Sequence, residues 1–319
     1  MTIRLSLGLL LTLLLALASL FIGVGQVSWS GLFAADGQAL QLMLVSRVPR
    51  TVAIILAGAS LGVAGLIMQL LARNRFVEPS TAGTAESASL GLLAVIVLAP
   101  DMPIFGKMLV AAGFALAGTF LFLRILQRIP LRSVLIVPLV GLMLGAVIDS
   151  VTTFFAYRLD LLQTVNAWTS GDFSGVLEGR YELLWVAFAL AVMAYVAADR
   201  FTLAGMGEAF TTNLGLNHRR IMTVGLVIVA MVTAVVVVTV GMIPFLGLVV
   251  PNLVGMVMGD NARRSIPWIA LTGAAFLLVC DIAGRLLRYP YEIPVGTVVG
   301  VVGAALFLHL LLRRHARLG

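Results

Sequence analysis

The stretch that decides the fold is Ile221–Gly259, which reads IMTVGLVIVAMVTAVVVVTVGMIPFLGLVVPNLVGMVMG. These 39 residues carry no charged side chain, and about 20 apolar residues suffice for one helix to cross a bilayer. The stretch is therefore long enough for two membrane spans. Gly241, Pro244, Gly247 and Pro251 mark the expected turn between the spans, because proline cannot donate the helical hydrogen bond and glycine tolerates turn geometry.

The composition of the chain indicates a membrane protein. Its 319 residues are 61% hydrophobic and 11% charged, with a mean hydropathy of +1.10, whereas soluble domains carry about 25% charged residues. The apolar runs are continuous and predict helices rather than the alternating strands of a membrane barrel. We therefore predict an all-α polytopic membrane protein. One cysteine, Cys280, and three scattered histidines predict neither a disulfide framework nor a metal site.

Ten membrane spans are predicted. They lie approximately at residues 5–26, 49–72, 83–100, 104–124, 133–156, 181–199, 220–240, 245–259, 266–286 and 294–312. Several reach bilayer length only with flanking charged residues, whose side chains extend to the interface. A cleaved signal peptide is the alternative for the first span, because Ala16–Ala18 resembles a cleavage site, although the apolar run continues to Ala35.

The distribution of positive charge predicts the orientation of the spans. With the N-terminus in the cytoplasm, fourteen Lys and Arg residues fall inside and seven fall outside, which favours an even number of spans with both termini cytoplasmic. The hydrophilic loops are too short for a soluble catalytic domain. Gly106–Met108, the nearest approach to a phosphate-binding loop, lacks the spaced glycine and the Ser or Thr. We therefore expect the chain itself to be neither an ATPase nor another enzyme.

Two predicted spans carry glycines at positions i, i+4 and i+7. These glycines are Gly58, Gly62 and Gly65 in the second span, and Gly296, Gly300 and Gly303 in the last. Small residues at this spacing form a smooth stripe that lets helices pack closely. Close packing is the simpler interpretation, and a hinge for conformational change is the alternative.

Basic residues at the predicted outer ends of two spans run against the positive-inside trend. Arg47 and Arg50 flank Pro49 at the start of the second span, where proline suits the first helical turn. Arg285 lies four residues after Asp281 in the ninth span, so an internal ion pair is one interpretation. Anchoring to lipid headgroups is the simple interpretation for the first two arginines, and docking of an acidic partner is the functional one.

Further polar residues mark the last span and one cytoplasmic segment. Glu292 precedes Pro294 at the start of the last span, where a carboxylate complements the helix dipole. The segment of residues about 205–218 predicts a short helix that inserts into a groove on a soluble subunit, and a simple surface connector is the alternative. Its predicted apolar face consists of Phe210, Leu214 and Leu216.

One acidic residue lies well inside a predicted span. Asp149 is followed by Thr152 and Thr153 in the fifth span, and a carboxylate within a membrane is a functional candidate. Because it lies near the outer third, a hydrated cavity wall or an interface is as good an interpretation as a proton relay. Asp149, Thr152 and Asn252 are the candidates for a translocation pathway.

Taken in order along the chain, these motifs resemble one transporter family. They are R-V-P-R at 47–50; Gln69, Arg73-Asn74 and Pro79; Gly207-Glu208 and Leu214-Gly215; residues 241–252; Asp281 with Arg285; and Glu292 to Gly296. The ordered set resembles the iron–siderophore/cobalamin permeases of ABC importers, the FecCD type, over nearly the whole chain. The resemblance implies a type II ABC importer permease fold with ten transmembrane helices in a single domain over residues 1–319.

The resemblance also implies partners and a location. A second permease subunit, identical or not, would share the pathway in the bacterial inner (cytoplasmic) membrane. Two cytoplasmic ATPase subunits would bind ATP, and a periplasmic or lipoprotein substrate-binding protein would deliver a ferric siderophore. No cofactor bound directly by the chain and no nucleic-acid partner are expected.

The resemblance assigns roles to individual residues as well. It implies that glutamates of the binding protein dock on Arg47, Arg50 and Arg285. It implies that the segment about 205–218 is a coupling helix that contacts the ATPase through Gly207, Glu208, Leu214 and Gly215.

The chain departs from the family pattern at several positions. Arg75 replaces the motif proline, Asn252 replaces the usual histidine, Gly255 replaces an arginine, and the loop at 259–263 differs as well. The Asn252 variant resembles a branch that serves ferric siderophores, with catecholate siderophores as the narrower expectation. Cobalamin or haem is the alternative cargo, and an ion-driven secondary transporter is the alternative class.

Overall fold

The computed structural model describes residues 2–23, 37–126, 128, 136–179, 181–259 and 261–315. Within these ranges the regular structure is helical, without strands, so the all-α prediction is confirmed there. The predicted first and fifth spans extend outside the described residues, at 24–26 and 133–135. The 259–263 loop does so at residue 260.

Fourteen α-helices follow one another in the described ranges. They are α1 (Thr2–Phe21), α2 (Gly37–Leu42), α3 (Val48–Leu71), α4 (Thr84–Leu98), α5 (Ile104–Leu126), α6 (Ile136–Arg158), α7 (Leu162–Thr169), α8 (Leu184–Val196), α9 (Ala198–Gly205), α10 (Glu208–Asn213), α11 (His218–Val240), α12 (Leu246–Met258), α13 (Ala262–Leu286) and α14 (Val295–His315). A π-helical turn, Met43–Arg47, joins α2 to α3, and a 3₁₀ turn, Ser80–Ala82, precedes α4.

The helices match the predicted spans in position. Among the described residues, six helical segments are long and apolar enough to cross a bilayer alone, namely the run ending in α3 and helices α5, α6, α11, α13 and α14. Helices α8 and α9 meet the same test as a pair bent by 69°, and α1, α4 and α12 contain shorter apolar helices. Each predicted span overlaps one of these elements, whereas the count of ten membrane crossings stays a prediction.

Helix α3 lies at the centre of the fold and packs against α8, α11, α12 and α13. Glycine makes two of these contacts possible. A Cβ added at Gly58 would lie 2.5 Å from the carbonyl oxygen of Gly273, and one added at Gly65 would lie 2.0 Å from that of Gly247. The close-packing interpretation of this glycine stripe is therefore confirmed.

The uncharged stretch Ile221–Gly259 forms most of α11 and all of α12, separated by a short link. The link contains Gly241, at φ +88°, and Pro244, so the predicted turn is confirmed at these two residues. The prediction was wrong for Gly247 and Pro251, which lie inside α12.

A side chain of α3 explains why proline is tolerated inside α12. Pro251 leaves the carbonyl four residues earlier, that of Gly247, without its helical donor. Nε2 of Gln69 donates a hydrogen bond to this carbonyl at 3.3 Å. The tertiary contact therefore replaces the missing backbone bond, and the helix continues through the proline.

The same arrangement occurs at Pro49. Pro49 lies in the first turn of α3, as predicted, but the helical run begins earlier, at Gly37, and passes through the π-helical turn into α3. Pro49 leaves the carbonyl of Val45 without its α-helical donor, and the backbone N–H of Glu178 donates to this carbonyl at 3.1 Å. Donors remote in sequence thus allow both prolines to lie within helical segments.

Candidate functional site

A cluster of buried charges joins α3 to α13. Asp281 of α13 accepts hydrogen bonds from Arg50 of α3, at 2.8 Å from Nη2 and 3.2 Å from Nε, and another from Arg285 one turn later. Glu292, just before α14, accepts from Nη1 of Arg50 at 2.7 Å. The internal Asp281–Arg285 ion pair that the spacing suggested is confirmed.

The cluster also holds the C-terminal end of α1. Arg285 donates to the carbonyl oxygen of Ser19 at 2.9 Å, to its hydroxyl at 2.5 Å, and to the carbonyl oxygen of Ile22 at 2.5 Å. Arg47 donates to the Ile22 carbonyl as well. These bonds fasten the first helix to the centre of the fold.

Burial determines how this cluster acts electrostatically. Arg47, Arg50 and Arg285 are only 7%, 8% and 3% exposed, and Asp281 is fully buried. Buried charges are costly unless they are paired. Here the guanidinium groups of Arg50 and Arg285 pair with the carboxylates of Asp281 and Glu292, and Arg47 lies within electrostatic range of both carboxylates. The three predicted docking residues therefore lie together but inside the chain, and their docking role stays a prediction.

An exposed arginine lies beside the cluster, and the motifs gave it no role. Arg288 follows Arg285 by three residues and lies 6.0 Å from the ring centre of Tyr291, a distance at which the ring face attracts a cation. Arg288 therefore adds accessible positive charge three residues after the buried Arg285.

The predicted coupling segment contains the short helix α10. Gly207, at φ +112°, precedes this helix and Gly215, at φ +75°, follows it, so the chain turns sharply at both ends, where glycine is favoured. The hydroxyl of buried Thr211 donates to the carbonyl oxygen of Leu203 at 3.1 Å. This bond ties α10 to α9.

The outer face of α10 is apolar. Phe210 and Leu214 are 46% and 54% exposed, Glu208 lies in the first turn, and Leu216 packs against the core. The short helix and two of its three apolar face residues are therefore as predicted. Its contact with an ATPase stays a prediction.

Asn252 lies on α12 beside a cavity of 300 Å³. Its Nδ2 donates to the carbonyl oxygens of Arg75, at 2.7 Å, and of Leu248, at 2.8 Å. Asn252 therefore holds the segment that follows α3 against α12. Its place in a translocation pathway stays a prediction.

The other two pathway candidates differ in exposure. Asp149 is exposed on α6. Thr152, one turn later, is 1% exposed and donates to the carbonyl oxygen of Ile148 at 2.9 Å. The structure thus leaves Asp149 accessible and encloses Thr152.

Two further carboxylates lie within the bundle, one buried and one half-buried, and the motifs assigned no role to either. Glu78 is 2% exposed, and its Oε1 accepts the backbone N–H of Phe245 at 2.7 Å. Glu86, in the first turn of α4, faces Gly145 of α6, where an added Cβ would lie 3.3 Å from its carboxyl carbon. For Glu78 the sequence did offer a signal, because residues 73–79 (R-N-R-F-V-E-P) place this glutamate between two apolar spans. The described residues contain no group of three His, Cys, Asp or Glu that could hold a metal ion.

Comparison with known proteins decides the family. Residues 10–313 match the FecCD transport family, which is nearly the whole chain. The chain belongs to this family. The resemblance that the motifs indicated is therefore confirmed.

Similar proteins support the assignment over the same length. The chain is 50% identical over 307 residues to the petrobactin import system permease protein YclN of Bacillus subtilis (strain 168), covering 96% of this chain and 97% of that one. It is 39% identical over 299 residues to the ferric-anguibactin transport system permease protein FatD of Vibrio anguillarum, covering 94% and 95%.

A solved structure supports the fold of this FecCD protein. It is an inward-facing metal-chelate type ABC transporter that matches with a TM-score of 0.82 at 23% identity, covering 98% of this chain and 100% of that one. The type II ABC importer permease fold is thus confirmed. As a FecCD permease, the chain is a membrane transport subunit of an ABC importer, and ATP hydrolysis belongs to the partner ATPase.

Proposed function

We propose that this FecCD permease forms part of the pathway through which a ferric siderophore crosses the bacterial inner membrane. The observation that carries the proposal is the 50% identity, over almost the full length of both chains, to a permease named for petrobactin import. The relative named for ferric anguibactin supports the same class of cargo. Catecholate siderophores are the narrower proposal, and cobalamin or haem is the alternative.

We infer that a second permease subunit packs against α6 and α14. In support, only 22% of the most apolar 18-residue segment of each of these two helices is buried within the chain. This share is smaller than in the other long spans described. The complex would further contain two ATPase subunits and a periplasmic or lipoprotein binding protein, with both termini of this chain in the cytoplasm.

We infer that α10 is the coupling helix of a single permease domain. Its support is an exposed apolar face of Phe210 and Leu214 on a helix of six residues, because an exposed apolar patch marks a site of protein association. The glycines at its ends, Gly207 and Gly215, let this face project from the bundle. Closure of the ATPases would then move α9 and α11 through α10. The secondary-transporter alternative assigns no use to this helix.

We infer that Arg47, Arg50 and Arg285 attract glutamates of the binding protein through the positive potential of their guanidinium groups. Direct ion pairs with these guanidinium groups would require the cluster to open, because all three are buried. A positive potential acts at a distance without such opening. Among the pathway candidates, exposed Asp149 is available as it stands, whereas Thr152 and Asn252 would need rearrangement.

Stimulation of ATP hydrolysis tests the proposed cargo. The purified complex in nanodiscs is mixed with binding protein that carries ferric petrobactin, cobalamin or haem. We expect the ferric siderophore complex to stimulate hydrolysis above the level of unloaded binding protein, and cobalamin and haem to leave it unchanged. Stimulation by cobalamin or haem, without stimulation by any ferric siderophore, would assign the chain to the alternative cargo.

A further inference from the structure

The segment between α3 and α4 folds back against the start of α12. Glu78 lies at the centre of this contact, with 2% of its surface exposed. Its Oε1 accepts the backbone N–H of Phe245 at 2.7 Å and the hydroxyl of Ser80 at 2.5 Å. The bond to Phe245 connects two residues 167 positions apart in the sequence. One carboxylate therefore connects the link between α3 and α4 with the link between α11 and α12.

The start of α12 lacks a cap of its own. Phe245 occupies the N-cap position with φ +63° and makes no side-chain capping bond. The first backbone N–H groups of a helix have no partner within the helix, and the helix dipole favours a negative group there. Glu78 supplies that group through Oε1, and its other oxygen, Oε2, lies 3.1 Å from a Cβ added at Gly247, in the first turn of α12.

The same segment also contacts α6. The hydroxyl of Thr81 accepts the backbone N–H of Glu78 at 2.9 Å, which fixes the turn that follows. A Cβ added at Gly141 of α6 would lie 1.9 Å from the carbonyl oxygen of Thr81, so the turn packs directly on the backbone of α6. Residues 78–83 therefore lie between α12 and α6.

Helix α14 touches this junction from another side. A Cβ added at Gly303 would lie 2.7 Å from Cβ of Phe245, which means that the capped residue packs on the backbone of α14. The segment that begins with Glu78 thus contacts α6 through Thr81, and Glu78 contacts the start of α12 at Phe245, the residue that packs on α14. Helices α6 and α14 are also the long spans, among those described, with the smallest share of residues buried within the chain.

We propose that Glu78 is a positioning residue that caps α12 and keeps α6, α12 and α14 in register when the transporter changes conformation. This role rests on the proposed importer function, but the cap itself is a property of the chain alone. Glu78 touches no cargo in this role. Its loss should therefore lower the maximal rate of transport without changing the substrate concentration at half-maximal rate.

Three variants separate the cap from general folding. Glu78→Ala removes the acceptor, Glu78→Gln keeps an acceptor of the same size without the charge, and Ser80→Ala removes a neighbouring bond while leaving the Phe245 contact. Hydrogen–deuterium exchange of the peptide 241–250 is measured in the assembled complex without substrate. We expect the Phe245 amide to exchange about tenfold faster in Glu78→Ala, and within about threefold of wild type in Glu78→Gln and Ser80→Ala.

Transport by the same complexes completes the test. We expect kcat for uptake to fall about tenfold in Glu78→Ala and less in Glu78→Gln, with KM within about twofold of wild type. Unchanged amide exchange in Glu78→Ala, or an effect of either variant on KM alone, would overturn the proposal. If Glu78→Ala fails to assemble, a wild-type kcat in Glu78→Gln overturns it. If the proposed importer function is wrong, the wild-type complex itself shows no uptake, while Glu78→Ala still accelerates exchange of the Phe245 amide.

Discussion

The carboxylate of Asp281 lies 2.8 Å from Nη2 of Arg50 and binds Arg285 at the same time. One buried acid on α13 therefore pairs with a residue of its own helix and with a residue of α3, which is 231 positions away. Because α1 is held by Arg285 as well, this carboxylate connects three helices.

Replacing Asp281 by Asn should destabilise the fold strongly. The substitution removes from Arg285 the carboxylate with which it pairs, and from Arg50 one of its two paired carboxylates. Breaking a buried ion pair costs about 3–5 kcal/mol. We expect the thermal midpoint of the purified chain in detergent to fall by about 6 °C or more. Asp101→Asn, at an exposed residue, is the control. Equal midpoints for the two variants would show that the cluster does not stabilise the chain.

Glu292→Gln should strengthen association with the binding protein. The amide still accepts from Arg50, but the cluster gains one unit of positive charge, which raises the rate of association with an acidic surface about threefold at low salt. Arg288→Gln, which removes exposed positive charge, should lower this rate. Surface plasmon resonance at two salt concentrations measures both. A slower association of Glu292→Gln would contradict a docking role for the positive charge.

The double substitution of Phe210 and Leu214 by Ala should weaken binding of the ATPase. Truncating hot-spot residues near the centre of an interface costs more than about 1 kcal/mol each. With Phe210 and Leu214 in that place, we expect at least about a tenfold lower affinity with an unchanged thermal midpoint of the chain. Leu98→Ala, at an exposed leucine of α4, is the matched control. Co-purification in equal amount from wild type and the double variant would refute the coupling assignment of α10.

Gly65→Ala should lower stability, because the new Cβ would lie 2.0 Å from the carbonyl oxygen of Gly247. Overpacking of this kind costs about 1–3 kcal/mol. Gly113→Ala is the control, because nothing lies within 4 Å of a Cβ added there in α5, and alanine favours a helix by about 1 kcal/mol. Thermal unfolding should order the variants as Gly113→Ala, wild type and Gly65→Ala. An unchanged thermal midpoint in Gly65→Ala would mean that α3 and α12 can move apart without loss of stability.

The sequence predicted what depends on local pattern. Apolar runs placed the helices, glycine spacing placed close contacts of α3, and the i, i+4 spacing placed the Asp281–Arg285 pair. Three features depend on distant partners and could not be read locally. The helix continues through Pro251 because Gln69 donates a hydrogen bond to the carbonyl of Gly247, which the proline leaves without a helical donor. Arg50 points inward because it pairs with Asp281. Glu78 accepts a hydrogen bond from the distant backbone N–H of Phe245.

The central claim is that ATP hydrolysis by partner subunits drives a ferric siderophore across the membrane along a pathway formed in part by this chain. The most direct measurement is uptake of radioactive iron as its siderophore complex into liposomes that contain the full complex, with binding protein outside and ATP inside. The account predicts accumulation with ATP and none with a non-hydrolysable analogue or an ion gradient alone. Equal accumulation driven by an ion gradient in the absence of ATP would contradict it.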